Sequence, residues 1–265
     1  MRKTFTTIIV LLAFVLASQA QQKKSIMKES IPVSMIQVTY AFHLPAMDNK
    51  TTYGISSTIG GGFMQKTEND WLLGVNGHFI FGSKVKGDRI DILGEGITTT
   101  DGEVIGGSGL MTSLAVAQRG LHFQGEIGKL FPCGPNPNCG VFIKGGVGYL
   151  RNRINIDYET QLYNTPYQVD GDYKYGYDQM RGGAAFHLET GYLMLNDTRL
   201  LNWSISLEMT WARTHNLRAY DFRVFDGVPV GYVDQQKRFN DLYYGIRFTW
   251  NIPLYQRQPD TYYYN

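Results

Sequence analysis

The stretch LYYGIRFTWNIPL, residues 242–254, alternates apolar and polar side chains. Its apolar phase holds leucine, isoleucine and aromatic residues, whereas its other phase includes Gly245, Arg247, Thr249 and Asn251. A period of two with one apolar face is typical of a β-strand. The stretch is longer than an ordinary strand of about five or six residues, and it exceeds the roughly nine to eleven residues that cross a bilayer at a tilt. It therefore predicts a membrane-spanning strand.

Seven further segments show the same alternation, so the chain holds eight predicted strands. The fourth is the least regular, because Gln118-Arg119-Gly120 interrupts its approach. In chain order the seven run from Ile36 to Leu44, Tyr53 to Phe63, Trp71 to Gly82, Leu121 to Gly128, Val141 to Tyr149, Ala184 to Met194 and Leu201 to Trp211.

The connections between these segments alternate in length. Short connections lie at 66–69, 132–138 and 196–199. On the other side the connections 83–113, 156–182 and 214–239 are long, and only the first, 45–52, is short. An even strand number with short turns on one side and long loops on the other is typical of outer-membrane barrels. We therefore predict an all-β fold, an eight-stranded antiparallel up-and-down transmembrane β-barrel with short periplasmic turns and long extracellular loops. A soluble exported β-sandwich would also alternate, but mid-strand charges and unequal loops favour the barrel.

Composition excludes several other classes. The 265 residues carry 25 Lys and Arg against 23 Asp and Glu, a net charge of +2. No basic field results, so we expect no nucleic-acid partner. Apolar residues make up 43% of the chain, which is too many for a disordered protein. Beyond the leader, no apolar window is long enough for a membrane-spanning helix.

The amino terminus has the pattern of a cleaved export signal. A basic start, Met1-Arg2-Lys3, precedes an apolar run from Ile8 to Ala17 and the small-residue site Ser18-Gln19-Ala20. We predict a signal peptide at 1–20 and a periplasmic N-terminal segment at 21–32. The outer-membrane β-barrel then occupies 33–255, and a periplasmic C-terminal tail occupies 256–265.

Charged side chains occur in the inward phase of the strands. An eight-stranded barrel is narrow enough for inward side chains to fill it, and buried charges must pair. Glu126 and Lys144 are expected near the short-turn end, with a second group at mid-height. We predict a lumen charge network that plugs the barrel, with a narrow polar pore for small solutes as the alternative. The members of the predicted charge network are Glu126, Lys144, Glu189, Glu208 and Arg247.

Catalytic and metal sites are not indicated. The inward histidines His43, His78, His122 and His187 come from four strands at heights that look unrelated, without the short spacing of metal ligands. Inward serines lack a recognisable hydrolase signature. We expect no enzyme activity, no metal and no organic cofactor, with a barrel hydrolase as the least favoured reading.

Cys133 and Cys139 flank Gly134-Pro135-Asn136-Pro137-Asn138. In an oxidising periplasm, such a pair predicts a disulfide that closes the turn between the fourth and fifth strands. A free-thiol pair is the alternative.

Tyrosines are concentrated in the third long loop and at the carboxyl terminus. Tyrosine gives a large contact area at low entropic cost, so both segments are candidate partner-binding sites. The alternatives are loops that cap the barrel and a tail that binds nothing. The loop residues are Tyr163, Tyr167, Tyr173, Tyr175 and Tyr177, and the tail residues are Tyr262, Tyr263 and Tyr264.

The closing segment DLYYGIRFTWNIPLY (241–255), together with GFMQKT (62–67), DWLLG (70–74) and GPNPN (134–138), resembles small OmpA-like, porin-type outer-membrane barrels of Bacteroidota. The resemblance covers roughly residues 33–255. It implies contact with outer-membrane lipid and a structural or porin-like role. It also implies a possible role as accessory subunit of a secretion or assembly complex in the envelope.

Overall fold

The computed structural model describes residues 29–99, 101, 103–112, 114–158, 165–196 and 201–254. The predicted signal peptide, Tyr163 and the tail with Tyr262, Tyr263 and Tyr264 lie outside these residues. None of the helices in the described part of the chain is long and apolar enough to span a bilayer.

Eight long strands form the body of the protein, and four short ones lie in the loops. The long strands are β1 (Val33–Met47), β2 (Ser56–Lys66), β3 (Trp71–Gly82), β6 (Leu114–Pro132), β7 (Gly140–Tyr158), β8 (Arg181–Met194), β9 (Trp203–Asn216) and β12 (Arg238–Pro253). The short ones are β4 (Val104–Ile105), β5 (Met111–Thr112), β10 (Tyr220–Phe225) and β11 (Val228–Tyr232). Short α-helices at α1 (Asn49–Thr52) and α2 (Arg89–Leu93), and 3₁₀ turns at Tyr167–Val169 and Tyr173–Gly176, complete the loops.

The long strands close into a barrel in the order β1-β12-β9-β8-β7-β6-β3-β2. Every neighbouring pair is antiparallel, and β1 closes the ring by pairing with both β12 and β2. Closure leaves no free sheet edge. The predicted eight-stranded antiparallel β-barrel is confirmed.

Alternation along each strand separates an apolar exterior from a largely polar middle of the interior. In β12, Ile246 and Phe248 are 55% and 51% exposed on the outside, whereas Arg247 between them is 2% exposed on the inside. The same division holds in β9, where Leu207 points outward beside the inward Glu208. Successive Cβ atoms of a strand point to opposite faces, so the sequence pattern alone produces this division.

The fourth barrel strand, β6, is much longer than predicted. It runs without a break through Gln118-Arg119-Gly120, because Gln118 points inward and its side-chain amide donates to the Tyr243 hydroxyl (2.9 Å). Strands β6 and β7 pair over 19 residues each. Their far ends extend to the long loops and support them.

The two ends of the barrel differ. The turn end carries the connections 67–70, 133–139 and 195–202, and the loop end carries 48–55, 83–113, 159–180 and 217–237. Residues just before β1 bind at the turn end, where the Asn138 side chain accepts from the Ile31 amide and donates to the Glu29 carbonyl.

Three apolar clusters lie along the barrel axis. The turn-end core consists of Ile31, Val33, Met35, Met64, Leu72, Leu130, Phe142, Leu193 and Leu195. The upper core, nearer the loop end, consists of Ile80, Leu150, Ala185, Ala212 and Tyr243. The loop cap, beyond it, consists of Tyr53, Ile92, Leu93, Ile97, Val104, Leu114, Ile154, Ile156, Val169 and Tyr177. The five predicted lumen charges lie between the first two clusters, whereas other buried polar side chains, among them Asn152, Thr214 and Asp241, lie on the loop side of the upper core.

Candidate functional site: the interior charge network and the loop-end cavity

The five predicted lumen charges meet in one network. Lys144 Nζ lies 3.0 Å from Glu126 Oε2 and 3.0 Å from Glu189 Oε2. The Nη2 atom of Arg247 lies 2.5 Å from Glu208 Oε2, and its Nη1 atom lies 3.3 Å from Glu189 Oε2. All five residues are 5% exposed or less. The network connects five strands, from β6 through β7, β8 and β9 to β12.

The sequence predicted two groups at different heights, and that detail is wrong. Lys144 and Glu189 are direct partners in the β7–β8 register, and Glu189 and Glu208 are partners in the β8–β9 register. The stagger between neighbouring strands of a tilted barrel brings residues from distant sequence positions to one level.

Glycines make space for these charged side chains. Gly146 pairs with Glu126 on one side and with His187 on the other, and Gly245 pairs with His43 and Glu208. A Cβ at Gly245 would lie only 2.5 Å from the His43 ring. Inward glycine beside an inward charged residue therefore lets long side chains cross the lumen.

Histidines extend the network, which the sequence did not reveal. His43 Nε2 lies 2.6 Å from Glu208 Oε1, and His187 Nε2 lies 3.4 Å from Glu189 Oε2. The three carboxylates of the network exceed its two permanent cations by one charge.

The histidines are not at unrelated heights, contrary to the sequence-based expectation. His78 and His122 are direct partners in the β3–β6 register. The ring centroids of His78 and His122 lie 6.1 Å apart, and those of His122 and His187 lie 6.2 Å apart. The three rings come from β3, β6 and β8, and the β3–β6, β6–β7 and β7–β8 registers together place them in one row.

The side chains of Glu126, His187 and Glu189 could surround a divalent cation by spacing alone, since one ligand atom from each lies within 4.8 Å of the others. Lys144 already supplies a positive charge at hydrogen-bond distance from both carboxylates. Ion pairing explains this cluster without a metal.

The predicted tyrosine surface is only partly exposed. Tyr167 and Tyr173 are 75% and 65% exposed. Tyr175 is half-buried and lies under the Arg218 guanidinium, 4.6 Å from its ring centroid. Tyr177 is buried in the loop cap, so its assignment to a binding surface is wrong. Its ring packs against the loop interior, where it contacts Phe222.

A cavity of about 380 Å³ opens at the loop end, between the second 3₁₀ turn, the start of β8, the β10–β11 hairpin and the start of β12. It lies beside a salt bridge between Arg218 and Asp178, 3.1 Å long. Burial raises the pKa of Asp178, and Arg218 opposes that effect. Its lining includes Tyr175, Arg181, Arg218, Tyr220, Asp221, Arg223, Asp234, Lys237 and Phe239.

The predicted disulfide is absent from this structure: Cys133 and Cys139 are free thiols. Cys139 is buried and contacts the Leu195 backbone instead, since its Sγ lies 3.1 Å from the Leu195 oxygen and 3.2 Å from its amide nitrogen. Cys133 is exposed. The two side chains therefore face different surroundings although they flank one short turn.

We expect the two thiols to react unequally. Burial shields the Cys139 thiol from reagents and raises its pKa, and the thiolate is the reactive form, whereas Cys133 is exposed. Cys139 is therefore alkylated more slowly than Cys133 in the folded protein. Folded protein at neutral pH should gain one maleimide label, on Cys133, and denatured protein two. Mass spectrometry of the non-reduced protein checks this, and a mass without any label after denaturation would show a disulfide instead.

Comparison with known proteins gives no family. No protein-family model matches the sequence, and no curated protein matches it. The resemblance to OmpA-like barrels therefore stays a prediction.

Several solved structures match this chain at low similarity. Ail, the attachment invasion locus protein of Yersinia pestis, is 10% identical, with 84% of this chain and 99% of that chain covered and a TM-score of 0.37. Neisserial surface protein A is 12% identical over 81% and 95% of the two chains, with a TM-score of 0.35. The outer membrane protein OprG from Pseudomonas aeruginosa is 15% identical over 86% and 99%, with a TM-score of 0.37. Likeness at this level assigns neither a family nor a ligand.

Proposed function

We propose that this chain is an integral outer-membrane barrel that does not conduct, and that its loop end serves as an interaction surface. The observation that carries the proposal is the closed interior: apolar clusters lie on both sides of the charge network, and the loop cap lies beyond them. A narrow pore for small solutes would need a continuous polar path, which these clusters interrupt.

The barrel exterior supports the membrane location. A soluble protein rarely exposes an apolar patch larger than a few hundred Å², whereas here most outward positions of the barrel strands are apolar. Aromatic side chains occur on the exterior at both ends, where interfacial girdles lie, and a few, such as Phe123 and Phe248, lie between them. Those at the turn end include Trp71, Tyr192 and Trp250, and those at the loop end include Phe42, Phe79 and Tyr149.

Reconstituted into a planar lipid bilayer, the protein is expected to give no steady ion conductance, because the turn-end core and the upper core close the lumen. Single-channel recording checks this, with a porin inserted under the same conditions as the positive control. Reproducible open-channel steps at neutral pH would contradict the proposal and favour the pore.

The proposed location in the outer membrane can be tested by fractionation. The protein should remain with membranes in a high-salt wash and require detergent for solubility, since its exterior residues, such as Leu207 and Ile246, are exposed apolar side chains. Recovery as a detergent-free soluble protein would exclude a membrane barrel.

An accessory role in an envelope complex would use surfaces outside the barrel wall. The loop end offers exposed aromatic side chains at Tyr167, Tyr173 and Tyr232. The tail 256–265 is the second candidate. Affinity purification from gently solubilised membranes, with the full chain and a chain lacking 257–265, tests the tail: an unchanged set of partners would exclude docking through Tyr262, Tyr263 and Tyr264.

A further inference from the structure

We propose that the loop-end cavity binds an acidic sugar, a pyranose ring that carries a carboxylate, through Arg181 and Lys237. This inference names a ligand for the proposed interaction surface and so rests on that part of the proposed function. The cavity volume of about 380 Å³ falls within the range of small-molecule sites, roughly 300–1,000 Å³.

The charge in the cavity lining is unbalanced. Four cationic side chains, Arg181, Arg218, Arg223 and Lys237, face two carboxylates, Asp221 and Asp234. Positive charge therefore exceeds negative charge at the cavity wall, which favours an anionic ligand over a neutral or cationic one.

Two of the four cations are already neutralised. Arg223 binds both carboxylate oxygens of Asp221, with Nε at 2.9 and 3.0 Å and Nη2 at 2.7 Å. Arg218 pairs with Asp178, outside the lining. These contacts hold both guanidinium groups in place and leave them little charge for a ligand.

Arg181 and Lys237 are different. Among the residues that the structure describes, neither has a carboxylate within ion-pair distance. The Arg181 guanidinium carbon lies 3.8 Å from the Phe239 ring centroid, and Lys237 Nζ lies 5.3 Å from it. One aromatic ring thus positions two cations without an ion-pair partner at the cavity wall, and Arg181 interacts at longer range with the buried Asp241. Of the two lining carboxylates, Asp221 is paired and Asp234 accepts from the Gln236 amide within its own turn.

The remaining walls suit a sugar ring. Tyr220 is 39% exposed and supplies aromatic surface on which the C–H face of a pyranose can pack. The rings of Tyr175 and Phe239 lie under the guanidinium groups of Arg218 and Arg181 and hold those groups at the wall. Tyrosine also offers a hydroxyl that can bond to ring hydroxyls. A planar guanidinium matches the two oxygens of a carboxylate. A carboxylated sugar is the ligand class that uses both features together.

Calorimetric titration of the full-length protein in detergent tests the site. The probe is an oligogalacturonate, and the matched control ligand is the same oligosaccharide with its carboxyl groups reduced to alcohols. We expect the acidic probe to bind and to weaken as salt rises, and the reduced probe not to bind. Equal binding of the two probes would overturn the proposal, and so would failure of the acidic probe together with failure of the lipopolysaccharide vesicles described below.

Variants locate the site. Arg181→Gln and Lys237→Gln should each weaken binding about tenfold, the loss expected for one charge-assisted contact. Arg151→Gln, at an exposed cation outside the cavity, should leave affinity unchanged. Lys237 is exposed, so its replacement does not threaten the fold. If Arg151→Gln weakens binding as much as the cavity variants do, binding reflects general surface charge and the proposal is wrong.

The same chemistry could come from a soluble glycan or from acidic core sugars of a lipopolysaccharide. Vesicles with intact lipopolysaccharide, compared with vesicles of phospholipid alone, separate these sources. Binding of the soluble probe supports a soluble glycan, and binding confined to lipopolysaccharide vesicles and lost in Lys237→Gln supports the lipid-linked sugar. If neither the soluble probe nor the lipopolysaccharide vesicles bind to protein that is membrane-inserted and non-conducting, the proposed ligand is wrong. The proposed non-conducting barrel would still stand.

Discussion

Replacing Arg247 with methionine is expected to destabilise the folded barrel by about 3–5 kcal/mol, the cost of breaking a buried ion pair from one side. The residue is 2% exposed and its guanidinium lies within 4 Å of three carboxylates, those of Glu126, Glu189 and Glu208. Without it, Lys144 would be the one permanent cation left among them. Urea unfolding of protein reconstituted in phospholipid vesicles, followed by tryptophan fluorescence, measures the loss.

Two controls separate charge from packing. Arg213→Met changes an exposed arginine on the outside of β9 and should alter stability by less than about 0.5 kcal/mol. Arg247→Met combined with Glu208→Gln removes one cation and one anion together, so it should recover part of the lost stability. If the double variant is no more stable than Arg247→Met alone, the network does not act through charge balance.

Replacing Gly148 with alanine is expected to destabilise the barrel by about 1–3 kcal/mol, the usual range for added volume in a filled interior. A Cβ at this inward position would overlap the backbone oxygen of Phe123 and lie 2.8 Å from Gln124 Cα. Both contacts belong to the adjacent strand β6, so a backbone shift is needed to relieve them.

Gly125 provides the matched control. It lies on the outside of β6, and a Cβ there meets no atom within 4 Å. Gly125→Ala should therefore change stability by less than about 0.5 kcal/mol, measured by the same unfolding experiment. If Gly148→Ala lowers the stability no more than Gly125→Ala does, the space beside Gly148 is not tightly filled.

Strand positions were predictable because alternation is a local property. The residues from 242 onwards carry their own period of two, and β12 follows it to Pro253. Strand β3 has the predicted bounds, Trp71 and Gly82. Strand β6 was predicted too short, because Gln118 looked like an interruption until its partner, the Tyr243 hydroxyl, was known. That partner is 125 residues away in sequence.

The sites were less predictable than the strands. The five lumen charges could be selected because an inward charge in a narrow barrel needs a partner. The pairing of these charged residues depends on the register between neighbouring strands, as the contact between Lys144 and Glu189 shows. The cavity could not be predicted, since Arg181 and Phe239 come from different strands and meet only after the loops fold.

The sequence by itself determined the eight strands, the apolar exterior and the set of inward charges, because each follows from a pattern within one strand. Tertiary structure alone decided how the barrel is staggered, how the histidine row forms, why one cysteine is buried and the other exposed, and where the loop-end cavity opens. These features depend on contacts between residues far apart in the chain, and a period of two along one strand holds no information about its neighbour's register.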